Sequence, residues 1–436
     1  MNKQQLSIFW FRRDLRLHDN AGLTHALQGA YPVLPIFIFD RNILDNLEDK
    51  YDRRLTFIHQ VLEDMQVQLI QLDSSLEVFY GYPVEVFGQL TEKYDVKAVF
   101  TNHDYEPYAL KRDEEIHQFL AEKGITFKTY KDQCIFEKRE VLSNAGTVYS
   151  VFTPYSKKWR SQLTSKYLES YRTETLWGNF YKQASQSIIN LETMGFIRTE
   201  QNFPNKAIRE DILKNYAEKR NFPAVEGTSR LGVHLRFGTI SIRQLAQEAQ
   251  KLNDTYLNEL IWRDFYMMIL YNFPHVATQA FRKEYENIEW RNNKEEFERW
   301  CEGKTGYPIV DAGMRELNAT GYMHNRVRMI TASFLTKHLL IDWRWGEAYF
   351  AKKLLDFDLS ANNGGWQWAS SSGCDAAPYF RIFNPTEQTK KFDPQLQYIK
   401  KWVPEFAEFS YPKPIVEHTF ARQRALDAYK KALAIA

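Results

Sequence analysis

Ile8-Phe9-Trp10-Phe11 runs without a break into Arg12-Arg13-Asp14-Leu15-Arg16-Leu17-His18-Asp19-Asn20. An apolar run of strand length that ends in charge reads as a buried parallel strand leaving its sheet. Working outward, strand-like runs recur at Val33–Phe39, Leu76–Tyr80, Ala98–Thr101 and Thr126–Tyr130, with Ser7–Phe11 the first of the set. Amphipathic helical stretches separate them, notably Arg54–Leu72 and Lys111–Lys123. Strands alternating with helices predict parallel pairing with right-handed crossovers, so residues 1–132 are expected to form a doubly wound α/β domain. No Gly-x-Gly-x-x-Gly follows the first strand, which argues against a standard dinucleotide site there. The charged run would lie at the carboxyl edge of the sheet, either as a ligand-binding edge or as a solvated loop.

Residues 133–203 mix Ser, Thr, Asn and Tyr without clear periodicity and read as a connector over the surface. From Phe203-Pro204 onward the chain is helical in pattern, predicting an all-helical domain over 204–436. Its segments include Ala207–Lys219, Ser241–Lys251, Thr255–Tyr271, Gly306–Ala319, Asn325–Leu340, Glu347–Leu355 and Arg422–Ala436. The 436 residues are 44% apolar and 26% charged, a globular composition. No apolar run nears the roughly 20 residues of a membrane helix, and the start resembles no signal peptide. A cytoplasmic protein, nucleoid-associated when bound to DNA, is the expectation. Cys134, Cys301 and Cys374 are scattered with no Cys-x-x-Cys, so no metal site is expected. A net charge of +2 does not by itself imply nucleic acid.

The chemically richest stretch is Asn362-Asn363-Gly364-Gly365-Trp366-Gln367-Trp368, read as a glycine turn, with Asp356 and Asp358 just before it. A small-residue turn, Ala369–Gly373, follows. Small residues admit a planar ligand close to the backbone. Amides and carboxylates give directed hydrogen bonds, and indoles give stacking faces.

Several motifs, in order and in approximate spacing, resemble the photolyase/cryptochrome family. They are Trp10–Arg16, Gly227–Leu231, Asn258–Tyr266, Gly303–Pro308, Met323–Met329 and Asn362–Trp368, and the closest branch looks like the class I cyclobutane pyrimidine dimer photolyases. The resemblance implies a carbon–carbon lyase that uses blue light and reduced FAD to split pyrimidine dimers in DNA. A cryptochrome-type photoreceptor signalling to a partner protein is the alternative; the chain ends in a short helix-like segment without a long low-complexity tail, which favours repair. No obligate protein partner is implied, and a monomer suffices.

By the same resemblance, Tyr216, Thr228, Ser229, Arg230, Leu231 and Gly232 hold the FAD phosphates, with Gly232 standing where the family usually has serine. Asp356 and Asp358 contact the flavin ring and ribose, and Arg328 pairs with Asp356. Asn362 faces flavin N5, where an amide oxygen can accept a hydrogen bond from a protonated N5. Glu259, Trp262, Asn325, Met329 and Trp368 line the lesion cavity; Glu259 and Trp262 share one helical face, as do Asn325 and Met329. Methionine and asparagine there suit the cyclobutane dimer rather than the (6-4) lesion. Arg263, Arg326, Arg381 and Gln388, with Lys390 and Lys391, supply DNA contacts. Trp366, Trp343 and Trp290 form the electron-transfer relay from the flavin to the surface. A second antenna chromophore is possible in the N-terminal domain. Where folate-binding relatives carry a glutamate after Tyr105-Glu106-Pro107, this chain reads Tyr108-Ala109, against a folate.

Overall fold

The computed structural model describes residues 3–434. Five strands, β1 (Gln5–Phe11), β2 (Val33–Asp40), β3 (Glu77–Gly81), β4 (Asp95–Asn102) and β5 (Thr126–Tyr130), form one parallel sheet in the order β3-β2-β1-β4-β5. β1 lies at its centre and is buried from Leu6 onward. Alternate residues divide between the faces. Leu6, Ile8 and Trp10 join Leu34, Ile36 and Ile38 in a core closed by Val86, Phe87 and Leu90 of α3 (Pro83–Lys93) and Ile116 and Leu120 of α4 (Pro107–Glu122). α1 (Ala21–Leu27) and α2 (Arg53–Ile70) complete the alternation of strands and helices. Helices at both faces explain why β1 is continuously apolar from Ile8 to Phe11 rather than alternating.

The charged run after β1 is not a solvated loop. Arg13, Asp14, Arg16, Asp19 and Asn20 are all buried. Arg16 meets Asp132 at 2.7 Å, and Arg243 reaches Asp132 at 2.8 Å and Asp19 at 2.8 Å. Asn102 donates to Asp14 at 2.6 Å. Removing one member of such a buried network leaves an uncompensated charge, which costs about 3–5 kcal/mol.

Contacts divide the chain into two compact units, each built from separate stretches. The first takes residues up to Glu137 with Leu163–Ala207 and Arg230–Glu248; the second takes Lys138–Gln162, Ile208–Ser229 and the chain from Ala249. The expected connector 133–203 is therefore shared out between both. Part of it, α5 (Phe152–Gln162), buries Phe152, Tyr155 and Trp159 within the second unit. Trp159 Nε1 donates to Asp264 Oδ2 at 3.0 Å, a pairing that no local periodicity could announce.

In the second unit the predicted helices appear with shifted ends. α6 (Asp254–Asn272) and α7 (Pro308–Thr320) match their segments, while α9 (Trp343–Lys353) begins earlier than expected. The predicted Ala207–Lys219 helix splits into Glu210–Lys214 and Tyr216–Lys219. The predicted Asn325–Leu340 helix is α8 (Asn325–Ser333) followed by a π-turn, Phe334–His338. The largest correction is at Asn362–Trp368, which is not a turn but the middle of α10 (Leu359–Ser370). The turn comes afterwards, where Ser371 adopts the left-handed conformation with φ 71°. α11 (Pro385–Phe392) and α12 (His418–Ala434) follow; the last two residues of the predicted Arg422–Ala436 segment lie outside the described residues. Among the described residues, no helix is long and apolar enough to cross a membrane.

Candidate active site

α6, α8, α9 and α10 carry most of the predicted site, and each starts at a side-chain cap that satisfies otherwise unpaired N–H groups. Asn253, His324 and Asp342 cap the first three. Asp358 caps α10, accepting from Ser360 N at 3.1 Å and Ala361 N at 3.3 Å. Two glycines are dictated by close approach. A Cβ on Gly364 would lie 2.3 Å from the Tyr266 ring, and one on Gly346 would lie 2.0 Å from the Trp366 ring. These glycines let α10 press against α6 and α9, at a helix-propensity cost of about 1 kcal/mol each.

Arg328 of α8 donates to Asp356 at 2.9 and 3.1 Å and to the Met323 carbonyl at 2.7 Å. Burial is the largest influence and would lower its pKa, but the charge and hydrogen bond of Asp356, with Tyr322 and Glu316, together outweigh it and hold the guanidinium above its ordinary value. Asn362 is fixed by donation from Nδ2 to the Glu347 carboxylate at 2.8 Å and to its backbone carbonyl at 3.1 Å. With its N–H donors so occupied, the amide presents Oδ1 as an acceptor. Burial pushes the Glu347 carboxyl up, so this support stays neutral to higher pH than a free glutamate. Beside Asn362, Gly365 faces open space.

Tyr216 meets Tyr256 edge-on at 4.9 Å, and the Tyr256 hydroxyl lies 2.9 Å from Ser229 Oγ. Thr228 Oγ1 lies 3.2 Å from the Tyr322 hydroxyl. Thr228 and Ser229 close a segment of the second unit, whereas Arg230, Leu231 and Gly232 open one of the first. Arg230 is left-handed with φ 53°, and Gly232 begins the short helix Gly232–Phe237. Hydroxyl donors, a half-buried arginine–aspartate pair and an amide acceptor fit the polar functions of an FAD.

On the lesion side, the Trp262 ring stacks on Phe152 at 3.6 Å and 5°, with Tyr266 tilted against it at 5.4 Å. Glu259 Oε1 is held by Arg220 Nη1. Burial raises the Glu259 pKa and Arg220 pulls it back only in part. Arg326 donates to Asn221 Oδ1 at 2.6 Å and lies 4.3 Å from the Phe392 ring; its Nη1 reaches Met329 Sδ at 3.7 Å. Burial, then the neighbouring Arg220 and Arg381, lowers the Arg326 pKa, the mark of guanidinium groups crowded together. Asn325 is exposed and Met329 half-buried on α8. Trp368 on α10 is tilted against Phe383 at 6.5 Å, and Arg381 lies over the same ring at 5.6 Å. Arg263 and Gln388 are half-buried on α6 and α11. Lys390 and Lys391 are exposed, and Lys390 pairs with Glu387 at 2.7 Å.

Trp366 and Trp343 are buried in a single apolar core, and Trp290 packs partly buried against it. Trp366 meets Phe350 edge-on at 5.0 Å, and Trp290 meets Tyr429 edge-on at 6.1 Å. Sequence reasoning missed Phe152, Arg220, Asn221 and Glu347, because each acquires its meaning from a partner distant in the chain.

In the first unit, Tyr108 donates to Asp40 Oδ2 at 2.5 Å, and Arg12 and Arg112 lie over Trp10 at 4.8 and 4.9 Å. Trp10 is itself buried beneath the two guanidinium groups, and no carboxylate stands at Tyr108-Ala109.

The parallel sheet and the capped helices around Arg328, Asp356 and Asn362 define a two-unit flavoprotein. Residues 7–173 match the DNA photolyase family and residues 256–431 match the FAD binding domain of DNA photolyase. The chain belongs to the photolyase/cryptochrome family. It is 37% identical to a deoxyribodipyrimidine photo-lyase of Vibrio cholerae, over 98% of this chain and 100% of the relative. A class III photolyase structure from Agrobacterium tumefaciens superposes with TM-score 0.87 at 30% identity, covering 99% of this chain and 98% of that one. An archaeal photolyase from Sulfolobus tokodaii, described with two FAD molecules, has TM-score 0.82 at 36% identity, covering 98% of this chain and all of that one (100%).

Proposed function

We propose that this protein is a light-driven lyase that repairs cyclobutane pyrimidine dimers in DNA. FAD held by Tyr216, Thr228, Ser229, Arg328, Asp356 and Asn362 would, when bound and reduced, supply the photoexcited electron for opening the cyclobutane ring and recover it afterwards. The chain's own residues bind, orient and tune. Arg328, paired with Asp356, favours negative charge on a reduced ring beside it. Asn362, fixed through Glu347, offers a carbonyl oxygen to a flavin N–H. Trp262 and Trp368 present indoles to a dimer extruded from the helix, each worth roughly 1–3 kcal/mol per stacked base. Glu259, kept protonated to higher pH than usual by burial, can donate to a pyrimidine carbonyl. Arg326, Arg381 and Arg263 meet phosphates, with Asn325, Gln388 and Met329 completing the contact surface. Trp366, Trp343 and Trp290 carry electrons to an oxidised flavin.

The observation that carries this reading is the composition of one helix. α10 bears the anchored amide of Asn362, the inner indole Trp366 and the outer indole Trp368, and it rests on Trp262's helix through Gly364 and Tyr266. The reading assigns the protein to the DNA-containing compartment, with the carboxyl edge of the first unit reserved for any second, non-folate chromophore. Reduced, FAD-loaded protein illuminated with an oligonucleotide containing a thymine dimer should restore the thymines in light and not in darkness. No light-dependent repair by properly reduced protein would overturn the reading.

A further inference from the structure

We infer that Phe152, from the stretch expected to be mere connector, is a positioning residue for lesion recognition: it backs Trp262 so that the indole is held ready to stack on an extruded pyrimidine. The inference rests on the proposed lesion pocket and extends it. Aromatic pairs left to themselves prefer offset or edge-on arrangements to a direct face-to-face sandwich. Phe152 and Trp262 nevertheless lie 3.6 Å apart at 5°, so packing holds both rings.

The restraints are visible on each side. Phe152 is 7% exposed, meets Phe265 edge-on at 5.7 Å, and has its backbone N–H accepted by Asp375 Oδ2 at 3.0 Å. Trp262 is fixed by α6 and by Phe265 and Tyr266 at 5.6 and 5.4 Å. With one indole face covered, stacking on a base is confined to the remaining surface. The orientation is set before DNA arrives, so binding does not bear the cost of ordering a free side chain. Asp375 follows the turn that ends α10, so the segment carrying Trp368 also anchors the ring behind Trp262.

The test compares binding of dimer-containing and undamaged oligonucleotides by the FAD-loaded wild type, Phe152→Leu and Phe152→Tyr. Phe152→Leu keeps apolar volume but loses the plane, and should weaken dimer binding roughly five- to tenfold, the worth of one aromatic pair. Binding of undamaged DNA, FAD content and flavin photoreduction should stay near wild type, and Phe152→Tyr should restore most of the discrimination. Equal dimer affinity in wild type and Phe152→Leu overturns the inference, as does an equal loss in the Leu and Tyr variants or an equal loss on undamaged DNA. Should the Leu variant not retain FAD, Phe152→Met, whose unbranched chain adapts to the space, is read by the same criteria. A wild type that itself fails to distinguish the dimer would instead refute the pocket on which the inference stands.

Discussion

Asp356 and Asp358 stand two positions apart and do different things. Asp356 neutralises half-buried Arg328, while Asp358 uses an oxygen to cap α10. Nothing in their spacing separates the two roles; the partner's location does. Trp262, Asn362 and Trp366 were singled out through the family resemblance of their motifs, since an indole by itself ordinarily marks a core, as Trp10, Trp159 and Trp300 do here. Arg220 and Glu347 were not, since a lone arginine or glutamate usually marks a solvated surface. At this scale the sharpest expectation concerns Trp366. Replacing it by Phe should abolish photoreduction of oxidised FAD, measured as bleaching under blue light with a reductant, while chemically reduced protein still repairs dimers. Normal photoreduction in Trp366→Phe would remove it from the relay.

Among the elements, the strands were legible because a two-sided sheet demands uninterrupted apolar runs, and all five appear where the pattern puts them. α10 was not, because a Gly-Gly pair ordinarily signals a turn. Here Gly364 answers to the Tyr266 ring rather than to a backbone dihedral. The π-turn Phe334–His338 was equally hidden, since it continues the helical pattern with a local widening. It carries His338, buried 2.8 Å from His418 and stacked on Phe334 at 4.8 Å. Burial first, then the His418 and Arg424 charges, pushes the imidazole from 6.5 down to about 3. Between those values the unfolded chain binds a proton that the folded protein refuses, so stability should fall as pH drops from about 6.5 toward 3. Denaturant titrations at several pH values in that window should show a shallower loss for His338→Phe than for wild type. Identical slopes would count against a neutral buried imidazole.

For the molecule as a whole, the net charge of +2 conceals local fields, because many buried cations are paired with carboxylates while others are not. Arg326 is informative: its Nε is buried without a hydrogen-bond partner, and burial first, then Arg220 and Arg381, lowers its pKa. Neutralising it as Arg326→Gln should weaken binding of damaged and undamaged DNA alike. It should also reduce the slope of log affinity against log salt by about one. An unchanged salt slope would mean that Arg326 meets no phosphate. The chain's order of strands and helices, its apolar cores and the residue types of a flavin and base-stacking site were determined by sequence alone, because period and composition are local properties. Which stretches assemble into each unit, why α10 tolerates its glycines, and which ring backs Trp262 were decided only in three dimensions. Those outcomes depend on contacts between residues far apart in the chain, and no local pattern encodes them.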